Sequence, residues 1–341
     1  NRKRATARVV YFGSMVVAGG AAVGSFILAR SKRKAYKEAL KTQFDDDYFR
    51  DVPTDDHPAV LGALYHGGSV RPESFTATLM ELTDSGNIAL QHVKTSHEGF
   101  LGPRIEEDYR LVLNKPLDPA QPDATRTERD AKKINRKALY LMFDKVARNM
   151  TNEKLPSSPY PPLYFSSIQK YAKKHASDYE QAYDSWSNTV EGIFESRFTM
   201  GDTVVKPPTP LIAAGVADVV LAHLFFPISL SFGMPIGLVA AFTVPLLASG
   251  IYAIVCGASR ERANEEGREV KAKLKALRRW LRDFTFLNEA IPTDVILWNR
   301  LLVMAVVLGV AEEVISQLET VLPEVIHSEY MRPMYGWYYV S

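Results

Sequence analysis

From Pro207 to Ser259 the chain runs for 53 residues with a single formal charge, Asp218. A helix crosses a hydrocarbon core of about 30 Å with roughly 20 apolar residues, so this block is too long for one span. It divides at Pro227-Ile-Ser-Leu-Ser-Phe-Gly-Met-Pro235, a turn-rich segment. The reading is a membrane hairpin, with helices over residues 209–226 and 236–257 inside a hairpin region of 207–257. A second uncharged run, residues 9–29, lies between Arg8 and the basic group Arg30, Lys32, Arg33 and Lys34 and gives a third span. The chain average, 46% hydrophobic and 23% charged with net charge +2, hides these two unlike populations. A purely soluble protein, a collagen-like chain and a disordered chain are all excluded. The lone Cys256 excludes a disulfide framework and a cysteine-built zinc or iron–sulfur site within one chain.

Charge sets the expected orientation. The hairpin turn carries no charge, whereas Arg260, Arg262, Arg268, Lys271, Lys273 and Lys275 follow the hairpin closely. Positively charged flanks stay in the cytoplasm, so the hairpin enters and leaves on that side. Six Lys/Arg between Arg30 and Lys41 place the end of the first span there too, against fewer basic residues (Arg2, Lys3, Arg4, Arg8) at its start. The expected topology is N-terminal stub (1–8) outside, everything else inside except the hairpin tip, in a bacterial inner membrane. A cleaved signal peptide has a core of about 7–15 residues and small residues at its end. Residues 9–29 are longer and are followed by strong bases, so they read as an anchor. The chain opens at Asn1 and not Met, so residues upstream are expected.

Residues 30–56 form a juxtamembrane linker. Its first part, 31–44, reads as a basic amphipathic extension of the anchor helix, ended by Asp45-Asp46-Asp47. Residues 57–67 read as a short apolar helix, with Asp55 and Asp56 offering cap chemistry before Pro58. Residues 72–85 read as a second helix, with Phe75, Leu79 and Leu82 at helical spacing and Gly86 as its stop. Strands are expected at 87–94 and 108–114, joined by a loop at 96–103. Helix, turn, helix, strand, loop, strand is the order of a winged helix, placed at 57–115. That fold often binds nucleic acid, but here residues 58–115 carry five basic and seven acidic residues, with His97 and Arg104 the only positive candidates in the loop. A phosphate-binding surface needs clustered Lys/Arg, so nucleic acid is disfavoured as a partner and a packing or protein-contact module is the expectation.

The remaining segments read as helices. Residues 125–151 form a charged helix with Ala131, Ile134, Ala138, Leu141 and Met142 inward, and 163–198 form one long helix, within a helical region spanning 116–206. In the final region, 258–341, residues 265–287 alternate bases with Val270, Leu274, Leu277, Trp280, Leu281 and Phe284. Such a basic amphipathic helix either lies on anionic lipid or packs on its neighbours. Residues 292–321 read as one apolar helix. Its uncharged run, 301–311, is too short to span and is expected to be buried core. The end, 330–341, is rich in aromatic residues (Tyr330, Tyr335, Trp337, Tyr338, Tyr339) and suits either a membrane interface or a docked tail.

Several stretches together resemble the DUF2207 family of bacterial membrane proteins. They are Pro58-Ala-Val-Leu-Gly-Ala-Leu-Tyr-His-Gly-Gly68, Thr78-Leu-Met-Glu-Leu-Thr-Asp-Ser-Gly-Asn87, Leu277-Arg-Arg-Trp-Leu-Arg-Asp-Phe284, Val295-Ile-Leu-Trp-Asn299 and Ala305-Val-Val-Leu-Gly-Val-Ala-Glu312. The resemblance implies the same topology and supplies no activity. It also implies an extracytoplasmic β-rich domain ahead of the first span, so this chain resembles the C-terminal portion of a longer product or a variant without that domain. A LemA-like coiled-coil membrane protein is a candidate partner by that resemblance alone.

Motifs for chemistry are missing from the sequence. There is no phosphate-binding G-x-x-x-x-G-K-[S/T] loop, no dinucleotide G-x-G-x-x-G and no G-x-S-x-G nucleophile elbow. No two of the seven histidines have metal-ligand spacing, Glu312-Glu313 reads as a solvated edge, and Cys256 reads as a buried or interfacial thiol. A non-enzymatic protein with no cofactor and no metal is therefore expected. Asp218 stands out: about ten residues into its helix at ~1.5 Å each, it lies near the bilayer midplane. A carboxylate there costs on the order of 2.5–3.5 kcal/mol and must be protonated, paired or in a polar cavity. Expected partners are Ser14, Ser25, Thr243 or a neighbouring chain. His223, five residues on, is the other candidate for an ion or proton site but sits about 140° around the helix. Gly20 and Gly24, with Gly13 and Ser14 before them, form a small-residue face of the kind that packs helices closely.

The expected class is a mainly α membrane protein, with three transmembrane helices and a helical cytoplasmic body that includes a winged-helix-like α+β module. The first functional reading is a structural or interaction subunit of a membrane complex, homo- or hetero-oligomeric, with Gly20, Gly24 and Asp218 in helix contacts. The second is an ion- or proton-conducting component using Asp218. The third is a membrane-tethered regulator.

Overall fold

The computed structural model describes residues 2–341 apart from 100, 101, 118–120, 154, 156, 157, 159, 202, 203, 259, 260, 288–293, 327, 329, 330, 332–336 and 338–341; side chains at 2–11 and 95–107 are not described either. The expected positive loop residues His97 and Arg104, the bases of the N-terminal stub and the tail tyrosines therefore lie outside the described side chains. The chain is mostly helical and forms two compact units, Asn1–Thr42 with Gly201–Glu265, and Gln43–Met200 with Glu266–Ser341.

In chain order the described elements begin with α1 (Arg2–Ala39), α2 (Pro58–Tyr65) and α3 (Pro72–Asp84). The hairpin β1 (Ile88–Gly99) and β2 (Gly102–Leu113) follows, then α4 (Arg126–Leu139), a π-helical stretch (Tyr140–Ala147) and a last turn, α5 (Arg148–Met150). Next come β3 (Leu163–Tyr164), α6 (Phe165–Lys174) and α7 (Ala176–Phe198). The membrane hairpin is α8 (Pro210–Ser231) and α9 (Ile236–Ala258), and the chain continues through α10 (Glu265–Asp283), a 3₁₀ turn (Phe284–Phe286), α11 (Val295–Val307), α12 (Ala311–Val321) and α13 (Pro323–Ile326).

Among the described residues three helices are long and apolar enough to cross a membrane, in α1, α8 and α9, and all three belong to the first unit. The expected anchor and its basic extension are one continuous helix. It ends at Ala39 and not at 44, ahead of Asp45-Asp46-Asp47, whose charges oppose a helix C-terminus. The first hairpin helix is about a turn longer than expected. It runs through Pro227 to Ser231 and closes on Gly233 at φ +79°, with the Met234 N–H donating to the Ser229 carbonyl at 3.1 Å. Proline removes one N–H, but the rest of the ladder survives, and prolines are tolerated in spanning helices. Pro245 likewise lies inside α9. Ala18 and Ala22 of α1, Ala222 and Phe225 of α8, and Val239 and Leu246 of α9 bury one another in the unit's core.

The second unit buries its largest side chains. All of Ala59–Leu64 in α2 is buried, because α3, α7 and α11 surround it. At Gly62 a Cβ would come within 2.7 Å of Val307 and 2.9 Å of Ser74, so only glycine lets α2 approach α11 and α3 this closely. Trp186 of α7 meets Phe75 of α3 edge-on, with centroids 4.8 Å apart. Trp280 of α10 stacks on Trp298 of α11 at 6.0 Å. The apolar face of α10 (Val270, Leu274, Leu277, Trp280, Leu281) is buried in the unit, so packing takes up the surface that lipid would otherwise cover. The run 301–311 is buried as expected apart from half-buried Val306 and Ala311 and exposed Gly309, while Glu312 and Glu313 are exposed in the first turn of α12. Of the tail, Trp337 is docked, its Nε1 donating to Thr83 Oγ1 at 3.0 Å and its ring against Phe165.

Several boundaries differ from expectation. The cap of α2 is His57, not Asp55 or Asp56: its Nδ1 accepts from the Ala59 N–H at 3.1 Å, and Asp56 is drawn away to Arg197. The cap of α4 is Thr125, in a reciprocal box with Glu128. The expected helix 163–198 breaks at His175 (φ −129°, ψ 49°), and its first two residues are instead a third strand. The expected helix 292–321 breaks at Gly309, whose φ of +67° no other residue type adopts readily. The strand hairpin is longer than the two expected strands. β1 and β2 pair antiparallel from Ile88↔Leu113 to Gly99↔Gly102, across most of the expected loop, because the register set by buried Ile88, Leu111 and Leu113 is carried outward by the ladder. β3 adds to β2 at Leu111↔Leu163, giving sheet order β1-β2-β3.

Candidate functional site

The sharpest site lies where α8 meets α9. Asp218 is 3% exposed and Ser249 5%, and the Ser249 hydroxyl lies 3.4 Å from Asp218 Oδ2 and 2.9 Å from the Leu246 carbonyl. One hydroxyl proton serves two acceptors, so the Asp218 contact is the weaker arm. The serine of α9 takes this place; Thr243, one of the expected partners, donates instead to the Val239 carbonyl of its own helix.

Glycine brings the carboxylate here. A Cβ on Gly250 would lie 2.8 Å from the Gly215 carbonyl and 3.0 Å from Asp218 Cβ, and one on Gly215 would strike Gly250 and Ile254. Gly257 is equally tight against Ile212. Backbones this close gain van der Waals contact, which drives helix association where lipid removes the hydrophobic term. Sequence reading missed these glycines and Ser249. Small residues at 249, 250, 253, 256 and 257 of α9 were the available signal.

Gly20 and Gly24 are not part of any such contact within the chain. Both are exposed, and a Cβ on either would meet nothing within 4 Å. The face of α1 that packs is Ala18, Ala22 and Ala29. His223 is not brought to Asp218. It is exposed and lines a groove of about 530 Å³ with Ala222, Phe226, Pro227, Ala240, Thr243, Val244 and Leu247. Cys256 is buried, as expected.

The second unit has a polar junction that sequence reading also missed. His57, 4% exposed, places Nε2 3.0 Å from Asn135 Oδ1 of α4 and 2.8 Å from Glu81 Oε2 of α3. With Nδ1 accepting the α2 cap bond, the ring proton is on Nε2. One N–H between two acceptors leaves Glu81 Oε2 in close polar contact without an aligned donor. Next to it lies a recess of about 310 Å³, lined by Asp55, Asp56, Glu81, Asp84 and Arg300 over a floor of Val303 and Met304. Its charges are largely tied internally, Asp56 to Arg197 at 3.3 Å, Arg300 to Asp55 at 3.7 Å, and Asp84 Oδ1 to Asn299 at 2.7 Å. Among the described residues no group of His, Cys, Asp or Glu is arranged to hold a metal ion.

Glu266 and His66 are among the titrating groups perturbed in this unit. The hydrogen bond from Arg197 holds the Glu266 carboxyl below its ordinary range. Burial pushes His66 down, against the opposing pull of the Val307 carbonyl 3.3 Å away.

Residues 45–318 match the family described as "Predicted membrane protein (DUF2207) C-terminal domain". The chain belongs to the DUF2207 family. The matched stretch holds the β1–β2 hairpin, both helices of the membrane hairpin and the α10–α11 pair, and α1 precedes it. No curated protein and no solved structure matches the chain.

Proposed function

We propose that this DUF2207 chain is a non-enzymatic structural or interaction subunit of a bacterial inner-membrane complex. The observation that supports this reading is the placement of Asp218. It is buried in a glycine-mediated helix contact and shares the Ser249 hydroxyl, as a packing residue does. A proton or ion path needs a carboxylate open to water or to a cavity, and the groove in this unit is lined by His223 and not by Asp218. The basic flank of α1 and the bases after α9 favour an N-terminus outside and a cytoplasmic second unit, with anionic lipid headgroups against the flank. We read α2, α3, β1 and β2 as a winged-helix-like module serving protein contact, since its charge is net acidic. A LemA-like membrane protein is a partner by family resemblance.

Reconstitution in vesicles tests the choice between subunit and conductor. The chain and its Asp218→Asn variant are expected to show equal, background-level proton and cation flux, with the same assembly mass. Flux above background that Asp218→Asn abolishes would establish the conducting reading instead.

A further inference from the structure

Two outward faces of the spanning unit carry features that lipid tails do not satisfy. On α1, Gly13, Gly20 and Gly24 share the side opposite the buried Ala18, Ala22 and Ala29, and a Cβ on any of the three glycines meets nothing within 4 Å. Each glycine costs a helix about 1 kcal/mol relative to alanine and leaves backbone carbonyls uncovered. Between α8 and α9, the groove presents an exposed His223. At ~1.5 Å per residue its Cα is about 12 Å from the end of α8, inside the hydrocarbon. Pro227 follows four residues later and has no N–H, so the His223 carbonyl lacks its regular helical donor. An imidazole and a short-changed carbonyl thus stand together in a medium that supplies neither donor nor acceptor.

The two faces overlap in depth: Ala29 of α1 clusters with Leu211 of α8, and eleven residues along both helices Ala18 clusters with Ala222. Ala18 and Ala22, which bracket Gly20, pack in the same cluster as Ala222, the neighbour of His223. An assembly about the membrane normal requires equal depth of the parts that meet.

We propose that the chain self-assembles head to tail in the membrane, with the Gly13–Gly20–Gly24 face of α1 in one copy seated in the His223 groove of the next. The imidazole N–H donates to an α1 carbonyl that the glycines leave uncovered, and glycine Cα–H groups approach the carbonyl freed by Pro227. A symmetric α1–α1 dimer would leave His223 and that carbonyl in lipid. Such heterologous contacts close into a ring when the rotation allows. The inference rests on the subunit reading and names the partner as a second copy.

The test uses full-length chains in a Cys256→Ser background. One copy carries Gly20→Cys and the other, with a different tag, Val244→Cys at the groove; they are co-produced and oxidised in native membranes. The expected product is the mixed dimer, at least tenfold over either self-linked dimer. Gly20→Leu and His223→Leu are expected to lose the homo-oligomer mass in native mass spectrometry. Because a Cβ at Gly20 has free space, Gly20→Leu should keep the melting temperature of the parent chain in monomerising detergent. Self-linked Gly20→Cys dimers as the main product overturn the head-to-tail contact. Crosslinking of Gly20→Cys to a different protein overturns the second-copy assignment and leaves the subunit reading standing. A monomer bearing only lipid overturns both.

Discussion

In the second unit the residues shielded from solvent are among the largest in the chain, Trp186 and Trp298 at 0% exposure and Phe143 at 1%. In the spanning unit the closest helix contacts are made at Gly215, Gly250 and Gly257, beside Asp218 and Ser249, and large apolar residues fall on both sides, Val239 and Leu246 at 0% exposure but Val16 and Ile236 at 72% and 68%. The difference follows from the two solvents. Where water is outside, burying large apolar surface is the main driving force. Where hydrocarbon is outside, large side chains gain no hydrophobic free energy by turning inward, and van der Waals packing, close backbone approach and shared hydrogen bonds hold the helices together instead. Mutations should therefore have opposite signs of size effect in the two units.

The largest effect is expected from truncation in the second unit. Trp298→Ala removes a ring packed on Trp280 and Phe284 and should cost about 3–5 kcal/mol, read as a loss of thermal stability in detergent. An unchanged melting temperature would break the comparison. In the spanning unit enlargement should do the damage. Gly250→Leu drives a side chain into the Gly215 carbonyl and Asp218, costing about 1–3 kcal/mol, seen as protease cleavage in the α8–α9 turn. The equivalent enlargement at Gly20, where nothing lies within 4 Å, should leave that cleavage unchanged. Asp218→Leu, which loses the shared Ser249 bond, is expected to cost less, about 0.6–1.7 kcal/mol; Asp218→Asn should fall below it.

The smallest effect is that of pH, and it should be confined to the second unit. Folding lowers the His66 pKa, so between the folded and unfolded values the unfolded chain binds more protons. That contribution is complete above about pH 6.5 and is lost as pH falls through the folded value. Glu266, held low by Arg197, adds a loss at pH below the ordinary carboxylate range near 4.5. The melting temperature of the second unit should fall on acidification, less so in His66→Phe. A rise on acidification would contradict the sign.

The spans were legible because 53 residues with one charge admit few alternatives. Asp218 was legible for the same reason, as the only charge in that block. Its partner Ser249 was not, because a serine 31 positions away carries no periodic signal until the hairpin register is known. The regular glycine spacing lies in α1, whereas the tight glycine contacts lie in α8 and α9. Exposure of Gly20 and Gly24 leaves them outside the packing of this chain's own helices. In the second unit, helix existence was readable from apolar spacing, but the breaks at His175 and Gly309 and the two-residue strand β3 depend on tertiary contacts that local pattern does not encode. His57 was hidden because Asp55 and Asp56 are the more usual cap residues, and the Arg197 ion pair that diverts Asp56 comes from 141 residues away.

Native mass spectrometry of the full chain, extracted from its own membranes in mild detergent, tests the central claim that the spanning unit is built for assembly. A stoichiometric complex of fixed mass, homo- or hetero-oligomeric, is the predicted result. A bare monomer at membrane-like concentrations would contradict it.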